Sequence, residues 1–269
     1  MKNLWKYIEL VKEKSPLVHS ITNYVAMNNT ANALLAVGAS PIMAHAHQEM
    51  KDMVSVVGAL VVNIGTLDEY WAESMRLAIQ QAENLQKPWI LDPVGAGATP
   101  YRNQIAEEFI TSYHPAVIRG NASEIMALAK TNTKIKGVDA IHQPEEALKA
   151  AYQLHRSTSA IICVSGATDY ITNGIKVVSL KNGHPLMARV TAMGCTATAL
   201  IGAFCAIALE NIFDAVIAAM ALMGIAGEIA AKLSKGPGSF QMNFLDILFT
   251  ISEDEFNERL KFAVKDVQV

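Results

Sequence analysis

Four short segments of the sequence combine glycine with small polar or charged residues, and each follows an apolar run typical of a β-strand. They comprise residues 91–99, 118–124, 164–169 and 190–198. Ligands of open α/β sheets bind beyond the carboxyl ends of the strands, so the four segments predict one shared site. Within these segments a guanidinium, several hydroxyls and the backbone amides of a helix start are suited to binding phosphate or another anion.

The first two segments each contain a carboxylate near the end of a predicted strand. Gly95 and Gly97, which follow Asp92, permit close approach of a ligand to the backbone. A tight connection between a strand and a helix explains the same glycine pattern equally well. Glu124 lies three residues after Asn121, and this spacing fits a helix cap with Asn121 as the N-cap.

Helix capping explains Asn121 and Glu124 but not Arg119, because a neutral turn residue at position 119 would allow the same cap. The planar guanidinium of arginine suits the recognition of phosphate. Ser165 lies in a hydroxyl-rich segment beyond a strand, where it is either a contact for a phosphate or nucleotide or part of an ordinary loop. The chain contains no Gly-x-x-x-x-Gly-Lys-Ser/Thr motif, so any binding of ATP must follow a different plan.

The fourth segment is the most informative, because Gly194 and Cys195 open a long apolar helical pattern. Unpaired backbone amides at a helix N-terminus form an anion site. The helix macrodipole favours the thiolate form of Cys195 and so predicts a lowered pKa for this thiol. Packing is the alternative role for a lone cysteine in an apolar helix.

The other polar candidates have structural explanations. Asn23 lies where a predicted strand passes into a helix, either as a helix N-cap, which we favour, or as a contact for a small ring ligand. His19 fits a histidine satisfied within the core. His45 and His47 lack the further ligands that a metal site needs, so we expect them at the surface or in caps.

Short β-branched runs alternate with longer helical patterns through the first 165 residues, which predicts a mostly parallel sheet with helices on both faces. The predicted strands are residues 17–21, 59–63, 89–92, 116–118 and 160–164, and the predicted helices are residues 25–37, 67–85, 101–112, 122–130 and 144–155. The sequence shows neither a linker nor an internal repeat. We therefore expect residues 1–269 to form one α/β domain.

The pattern changes after residue 164. Asn173-Gly174 and Asn182-Gly183 each lie between extended runs, which predicts two antiparallel hairpins at an edge of the sheet. From residue 194 onward the pattern is almost wholly helical and ends in an amphipathic segment at residues 253–264. Residues 190–209 carry no charge and are long enough to span a membrane, but their glycine and threonine residues and unanchored ends favour a buried helix.

Composition restricts the class of function. The 269 residues are 51% hydrophobic and 17% charged, with a formal net charge of −3, so no nucleic-acid partner is expected. Cys163, Cys195 and Cys205 lie in apolar runs that do not resemble a disulfide framework. The N-terminal segment lacks the features of a signal peptide. We therefore expect a cytoplasmic protein without a membrane partner.

Five motifs in order along the chain resemble those of the hydroxyethylthiazole kinases, which belong to the ribokinase-like superfamily. They comprise residues 19–23, 92–99, 119–124, 193–195 and 236–240. The likeness covers nearly the whole chain. It implies a three-layer α/β/α ribokinase-like fold with a mostly parallel central sheet, an antiparallel edge and a helical C-terminal third.

The same resemblance implies an enzyme that transfers the γ-phosphoryl group of ATP, with Mg²⁺, to the hydroxyl of 4-methyl-5-(2-hydroxyethyl)thiazole in thiamine salvage. It assigns Asn23, Met43 and Ala192 to the thiazole, Arg119 and Ser165 to ATP, Asp92 and Glu124 to Mg²⁺, and Gly194 and Cys195 to the anion hole and catalysis. A homotrimer with sites at its subunit interfaces is also implied.

By this resemblance, one position agrees with the thiazole kinases and one departs from them. Cys195 stands where the sugar kinases of the superfamily have an aspartate that acts as the base, and the thiazole kinases have a cysteine there. Ala192 replaces the first glycine of the usual Gly-x-Gly-Cys pattern, and we expect its Cβ to narrow the loop.

Three other functions stay open. The nearest is another ribokinase-like activity, either a hydroxymethylpyrimidine kinase or a nicotinamide-nucleotide-hydrate dehydratase, and the motif set as a whole opposes both. A cysteine hydrolase or redox enzyme with Cys195 as nucleophile lacks a Cys-x-x-Cys motif and an evident histidine partner. A nucleotide-binding regulator or a membrane protein would bind a ligand or partition into detergent without forming a product.

Overall fold

A computed structural model describes residues 3–133 and 144–267. The strands of this part are β1 (Leu17–Ile21), β2 (Ser40–Ile42), β3 (Ala59–Asn63), β4 (Trp89–Asp92), β5 (Val117–Asn121), β6 (Ile161–Ser165), β7 (Asp169–Thr172), β8 (Lys176–Leu180) and β9 (Phe262–Asp266). They form one sheet in the order β2-β1-β3-β4-β5-β6-β7-β8-β9.

The helices of the described residues lie before and between these strands. They are α1 (Trp5–Lys14), α2 (Met27–Val37), α3 (Met50–Val56), α4 (Glu69–Asn84), α5 (Pro100–Ser112), α6 (Ala122–Thr133), α7 (Pro144–Thr158), α8 (Met193–Ile207), α9 (Ile212–Leu233), α10 (Pro237–Thr250) and α11 (Glu253–Arg259). Helices thus occupy most of the chain after residue 192, as predicted.

Strands β1 to β6 are mutually parallel, whereas β7, β8 and β9 join by antiparallel pairing. The prediction of a mostly parallel sheet with an antiparallel edge is therefore confirmed. Every residue of β3 is buried, as expected for a strand whose two faces are both covered.

The sheet separates two apolar layers, and successive strand residues alternate between them. Val61 belongs to the apolar layer that also contains buried residues of α1, α2, α8, α9 and α10. Its neighbours Leu60 and Val62 belong to the other layer, together with buried residues of α3 to α7. This alternation follows from the period of two in a strand, and it gives the three-layer arrangement.

Helices α8 and α9 form the centre of the first layer. The predicted buried helix within residues 190–209 is α8, which contacts β1, β3 and β4. Residues Leu209–Leu233 are long and apolar enough to cross a membrane by length and composition, but 83% of their apolar window is buried inside the fold. Burial of this extent is typical of a core helix.

The structure corrects several predicted elements. The turn at Asn173-Gly174 does join the antiparallel strands β7 and β8, but the hairpin predicted at Asn182-Gly183 is wrong. Residues Pro185–Arg189 form a short 3-10 helix instead, because a proline cannot donate to a strand ladder. The second partner of β8 is β9, so the helix predicted at residues 253–264 ends at Arg259.

Smaller corrections concern element ends and short elements. Helix α2 begins at Met27 rather than at residue 25. Strand β5 runs to Asn121 rather than ending at residue 118, so Arg119 lies within it. Strand β2 and helix α3 were not predicted, since three and seven residues are too short to show a clear period.

Candidate active site at the carboxyl edge of the sheet

The six parallel strands place a series of polar or sulfur-containing residues along one edge of the sheet. In spatial order these are Met43 after β2, Asn23 after β1, Asn63 at the end of β3, Asp92 at the end of β4, Arg119 in β5 and Ser165 at the end of β6. The N-terminus of α8 lies beside them, since Cys195 contacts Asn23 and Thr198 contacts Asp92. The four predicted segments therefore do converge, while Met43 lies at the far end of the series.

The start of α8 exposes backbone amides that the helix itself cannot satisfy. Ala192 is the N-cap and has φ 65° and ψ 4°, and no side chain caps this end. The first intrahelical bond runs from Thr196 N to the Ala192 carbonyl at 2.8 Å. The amides of Met193, Gly194 and Cys195 precede it and lack intrahelical acceptors. This end is therefore suited to an anion.

Cys195 is a neutral thiol in this environment. Asn23 Nδ2 lies 3.4 Å from Cys195 Sγ and donates to it. Burial, followed by the negative charge of Asp92, raises the pKa of the Cys195 thiol, and these effects outweigh the opposing hydrogen bonds and the charge of Arg119. The predicted thiolate is therefore wrong, because the helix dipole acts against a larger desolvation cost.

Asp92 is buried at the end of β4, with only 1% of its surface exposed. Its Oδ2 accepts hydrogen bonds from Asn63 Nδ2 at 2.7 Å and from Thr198 Oγ1 at 2.8 Å. Burial raises the pKa of Asp92 to about 6, although the charge of Arg119 opposes this shift. Oδ1 is buried and has no hydrogen-bond partner. An unsatisfied buried oxygen of this kind is suited to a ligand that the protein alone does not supply.

Glu124 holds two loops together. Asn121 N donates to Glu124 Oε2 at 2.8 Å and Glu124 N donates to Asn121 Oδ1 at 3.0 Å, which is the reciprocal cap predicted from the spacing. Gly95 N donates to the other oxygen, Oε1, at 3.0 Å. The capping explanation is confirmed, but Glu124 also faces the loop after β4 and raises the pKa of Asp92.

Arg119 reaches across to the last parallel strand and the start of α8. Its Nη2 donates to Ser165 Oγ at 2.7 Å, and a Cβ at Gly194 would lie only 2.7 Å from its Nη1. Burial disfavours the charge of Arg119, but Asp92, Cys163, Asp169 and Glu124 together raise its pKa. The guanidinium therefore stays charged, and its Nε is buried without a partner.

A cavity of about 580 Å³ opens beside Arg119, a size typical of small-ligand sites. Its polar end is lined by Arg119, Ser165, Asp169 and Gly194. Its other walls are Gly166, Ala167, Asn182, Gly183, His184, Pro185, Met187, Ala188, Met193, Ala197, Met220, Met223 and Gly224. The cavity thus combines a cationic, hydroxyl-bearing end with a largely apolar remainder.

Sequence reasoning missed most of the apolar walls. Met220 and Met223 follow the pattern of core residues in α9, and nothing local marks them as cavity residues. The segment after β8 did carry a signal, because Pro185 follows Asn182-Gly183 closely and disfavours continuation as a strand. Asn63 was predicted as a strand end but not as a site residue.

The histidines do not form a metal site in the described part of the chain. His19 is buried, its Nε2 lies 2.8 Å from the Ala44 carbonyl and its Nδ1 has no partner, so it is only partly satisfied. Burial lowers the pKa of His19. His45 stacks on Trp71. Among the described residues, no group of three or more metal-ligating side chains occurs.

The capping role favoured for Asn23 is also corrected. The N-cap of α2 is Ala26, which has no side-chain cap. Asn23 Oδ1 accepts from Ala26 N at 3.0 Å and so closes the turn before the helix. Its Nδ2 donates to Asn63 Oδ1 at 2.8 Å and to Cys195 Sγ at 3.4 Å, and the alternative of a contact with a small ring ligand stays a prediction.

Comparison with known proteins identifies relatives over the whole chain. The sequence model of the Hydroxyethylthiazole kinase family matches residues 8–254. A hydroxyethylthiazole kinase from Leptospira biflexa is 49% identical over 260 residues, 97% of each chain. The structure of the hydroxyethylthiazole kinase protein from Pyrococcus horikoshii OT3 superposes with a TM-score of 0.91, with 41% identity and complete coverage of both chains.

A more distant structure shows the fold alone. A ribokinase-like superfamily protein from Enterococcus faecalis is 14% identical, with a TM-score of 0.62 and 88% coverage of each chain. The predicted ribokinase-like fold is therefore confirmed.

Proposed function

The chain belongs to the hydroxyethylthiazole kinase family, and from this premise we propose that it phosphorylates the hydroxyl of 4-methyl-5-(2-hydroxyethyl)thiazole. The observation that carries the proposal is the meeting of two half-sites at the N-terminus of α8. The cavity beside Arg119 lies on one side of Gly194, and Asn23 contacts Cys195 on the other. A phosphoryl donor and an alcohol bound there would approach the same set of backbone amides.

The cavity is the proposed site for ATP. Arg119 would contact the phosphates in bidentate fashion, and the hydroxyl of Ser165 already orients that guanidinium. The base and ribose would occupy the apolar remainder. Phosphates at the polar end would also supply partners for Arg119 Nε, which the protein leaves unsatisfied.

Mg²⁺ fits the residues on the adjoining strand ends. Asp92 Oδ1 is buried without a partner, and the nearby Glu124 carboxylate is fixed by two backbone amides. Mg²⁺ typically binds one or two protein carboxylates and keeps several waters and substrate phosphates. We therefore assign Asp92 and Glu124 to hold Mg²⁺ and its waters, and the ion would neutralise charge on the phosphates when bound.

The alcohol would bind on the side of Asn23, Met43 and Ala192. Asn23 Nδ2 is held in place by Asn63 and would orient the substrate beside Cys195. Because phosphoryl transfer has a loose transition state, positioning and charge stabilisation matter more than early removal of the hydroxyl proton. The amides of Gly194 and Cys195 would stabilise the transferring group. The neutral thiol of Cys195 would line the site rather than act as a strong base.

A panel experiment tests the reaction. Purified protein is incubated with ATP, Mg²⁺ and a set of hydroxyalkyl heterocycles, and the products are identified by mass. We expect the hydroxyethylthiazole to gain one phosphoryl group. Phosphorylation of a hydroxymethylpyrimidine instead would favour the nearest rival. A protein that shows no ATP-dependent turnover but loses a hydrolytic activity on treatment with iodoacetate would favour a cysteine hydrolase.

The metal assignment has its own test. Glu124→Gln keeps an oxygen for one of the two backbone amides but removes the charge, so we expect the Mg²⁺ concentration for half-maximal activity to rise about tenfold. An unchanged Mg²⁺ titration would remove Glu124 from the metal site. Glu107→Gln, at a half-buried carboxylate of α5, serves as a control that should leave the titration unchanged.

We further propose a cytoplasmic homotrimer in which a second copy completes each site, with residues 1–269 as one kinase domain. Tyr24 and Val25, which follow Asn23, are 63% and 59% exposed, and contact with a second copy would cover this apolar surface. All three cysteines are free, which suits a reducing compartment. Light scattering coupled to size exclusion tests the assembly, and a monomer with full activity would overturn it.

A further inference from the structure

The carboxyl end of β3 places a buried asparagine between the two half-sites. We propose that Asn63 is a positioning residue that links the two half-sites. It joins Asp92, where Mg²⁺ would bind (the metal side), to Asn23 and Cys195, where the alcohol would bind (the alcohol side). The inference rests on the proposed function above. Asn63 is only 2% exposed, and it lies outside the five motifs that the sequence shares with the family.

The backbone amides of Gly65 and Ala26 determine which atom of the Asn63 and Asn23 side-chain amides is the oxygen and which is the nitrogen. Gly65 N donates to Asn63 Oδ1 at 3.0 Å, so this atom is the acceptor and Nδ2 is left to donate to Asp92 Oδ2 at 2.7 Å. Ala26 N donates to Asn23 Oδ1 at 3.0 Å, and Asn23 Nδ2 donates to Asn63 Oδ1 at 2.8 Å. A backbone N–H cannot accept, so rotating either amide by 180° would break bonds at both ends.

Close packing restricts the position of the Asn23 side chain. A Cβ at Gly65 would lie 2.5 Å from Asn23 Nδ2, so only a glycine lets the chain after β3 approach this amide. The turn after β3 therefore supplies both a donor to Asn63 and the space for Asn23. Such a buried and satisfied polar chain is rigid, since any unpaired member would bear a desolvation cost.

The series of hydrogen-bonded side chains ends on one residue of each half-site. At one end, Asn23 Nδ2 donates to Cys195 Sγ at 3.4 Å. At the other, Asn63 and Thr198 both donate to Asp92 Oδ2. A carboxylate held through one oxygen presents its other oxygen in a fixed direction, and that oxygen is the unpartnered Oδ1.

Asn63 differs from its neighbours in touching both half-sites. In the described hydrogen bonds, Thr198 contacts Asp92 but not Asn23, and Asn23 contacts Cys195 but not Asp92. Loss of Thr198 should disturb the metal side alone, and loss of Asn23 the alcohol side alone. Loss of Asn63 should disturb both.

Two measurements on three variants test this. The first is the Kd of the thiazole alcohol, measured by calorimetry without nucleotide or metal. The second is the Mg²⁺ concentration for half-maximal kcat at saturating ATP and alcohol. The variants are Asn63→Ala, Thr198→Val and Asn23→Ala.

For Asn63→Ala we expect both quantities to rise by about fivefold or more, the factor typical of one lost hydrogen bond. Its kcat should also fall by about 10²-fold, as small misplacements in a site cause. Thr198→Val should raise only the Mg²⁺ concentration. Asn23→Ala should raise only the Kd.

Asn29→Ala is the matched control for a merely structural role. Asn29 is 6% exposed; its Nδ2 donates to Thr196 Oγ1 at 2.9 Å and its Oδ1 accepts from Gln241 Nε2 at 2.8 Å. We expect a fall in melting temperature similar to that of Asn63→Ala, but a Kd, Mg²⁺ requirement and kcat within about twofold of the unsubstituted protein.

Several outcomes overturn the inference. A folded Asn63→Ala that changes neither quantity or only one of them would do so, as would an Asn29→Ala that reproduces both changes. If Asn63→Ala does not fold, Asn63→Ser is measured with the same expectations. Failure of the unsubstituted protein to bind and phosphorylate the alcohol would overturn the proposed function as well, and it is recognised because no substitution is involved.

Discussion

The two proposed half-sites meet at Gly194 and Cys195 but are built differently. The half-site beside Arg119, proposed for ATP, is the nucleotide side, and the half-site beside Asn23 is the alcohol side. The nucleotide side holds the half-buried charge of Arg119 and the buried carboxyl group of Asp169 on the wall of an open cavity, and one guanidinium nitrogen lacks a partner. The alcohol side is a chain of neutral amides in which Asn23 and Asn63 are held by bonds of 2.8 to 3.0 Å.

This contrast teaches where each side gains its binding energy. Buried charges without full partners destabilise the free protein, and a polyphosphate would relieve that cost on binding. A satisfied amide chain costs little in the free protein and is already arranged for its ligand. Substitutions on the nucleotide side should therefore change affinity and stability in opposite directions, whereas those on the alcohol side should change geometry.

The largest expected effect is at Arg119. Arg119→Met keeps much of the apolar stem but removes the charge-assisted bonds to the phosphates, so kcat/KM for ATP should fall by about 10²–10³-fold. The Kd of the thiazole alcohol, measured alone, should change by less than about threefold. Steady-state kinetics and calorimetry check this. Equal losses for nucleotide and alcohol would remove Arg119 from the nucleotide side.

Asp169 tests the cost of a buried charge. Burial raises the pKa of Asp169 from 3.8 to about 6, so its ionised form destabilises the folded protein. That destabilisation is fully present above pH 6, shrinks as the pH falls and disappears below pH 4, where Asp169 is protonated in both states. Asp169→Asn should therefore raise the free energy of unfolding by about 1–3 kcal/mol at pH 8.

Urea unfolding at several pH values measures this gain. Gly166 N donates to Asp169 Oδ1 at 2.9 Å, and asparagine retains that acceptor. Asp246→Asn in the exposed face of α10 is the matched control and should show no gain that depends on pH. A gain for Asp169→Asn that persists unchanged at pH 3.5 would contradict burial of charge as its cause.

Cys195 tests whether the alcohol side supplies a base. Since burial raises the pKa of its thiol, we expect Cys195→Ala to lower kcat by less than about tenfold, because the backbone amides remain. Cys195→Asp, which restores the carboxylate found in sugar kinases, should retain more activity than the alanine variant. A loss of about 10²–10⁴-fold in kcat for Cys195→Ala with unchanged KM would instead identify the thiol as a general base.

These tests concern residues that the sequence predicted with unequal success. The central strands were predictable because β3 and β4 are buried on both faces and read as continuous apolar runs. The pairing of β8 with β9 was not predictable, since the two strands are about eighty residues apart and no local period reveals their contact.

The site shows the same division. Asp92 and Arg119 stand out because charge is unusual at the end of an apolar strand. The neutral state of Cys195 depends on tertiary burial, which outweighs the local effect of the helix dipole. Likewise Met220 reaches the cavity only because α9 packs against the segment after β8. The charged residues at the strand ends could therefore be predicted from the sequence. The protonation state of Cys195 and the residues of the cavity walls depend on tertiary packing and could not.

The smallest expected effect lies at the junction of the two sides, where Ala192 is the N-cap of α8. Its φ of 65° lies in the left-handed region, which costs a residue with a Cβ about 1–2 kcal/mol. Ala192→Gly removes this cost but adds about 0.4–1 kcal/mol of conformational entropy to the unfolded chain. The net result should be a gain of about 0.5–1 kcal/mol in the free energy of unfolding.

Ala167→Gly provides the comparison for Ala192→Gly, because Ala167 does not have a positive φ. Ala167→Gly should lower the free energy of unfolding, because it only adds conformational entropy to the unfolded chain. The two variants should therefore shift the urea midpoint in opposite directions. The turn at residue 192 keeps its shape in either variant, and kcat should therefore stay within about twofold for Ala192→Gly. A loss of stability in both variants would show that Ala192 bears no strain, whereas a large change in kcat with the gain in stability would show that its Cβ shapes the site.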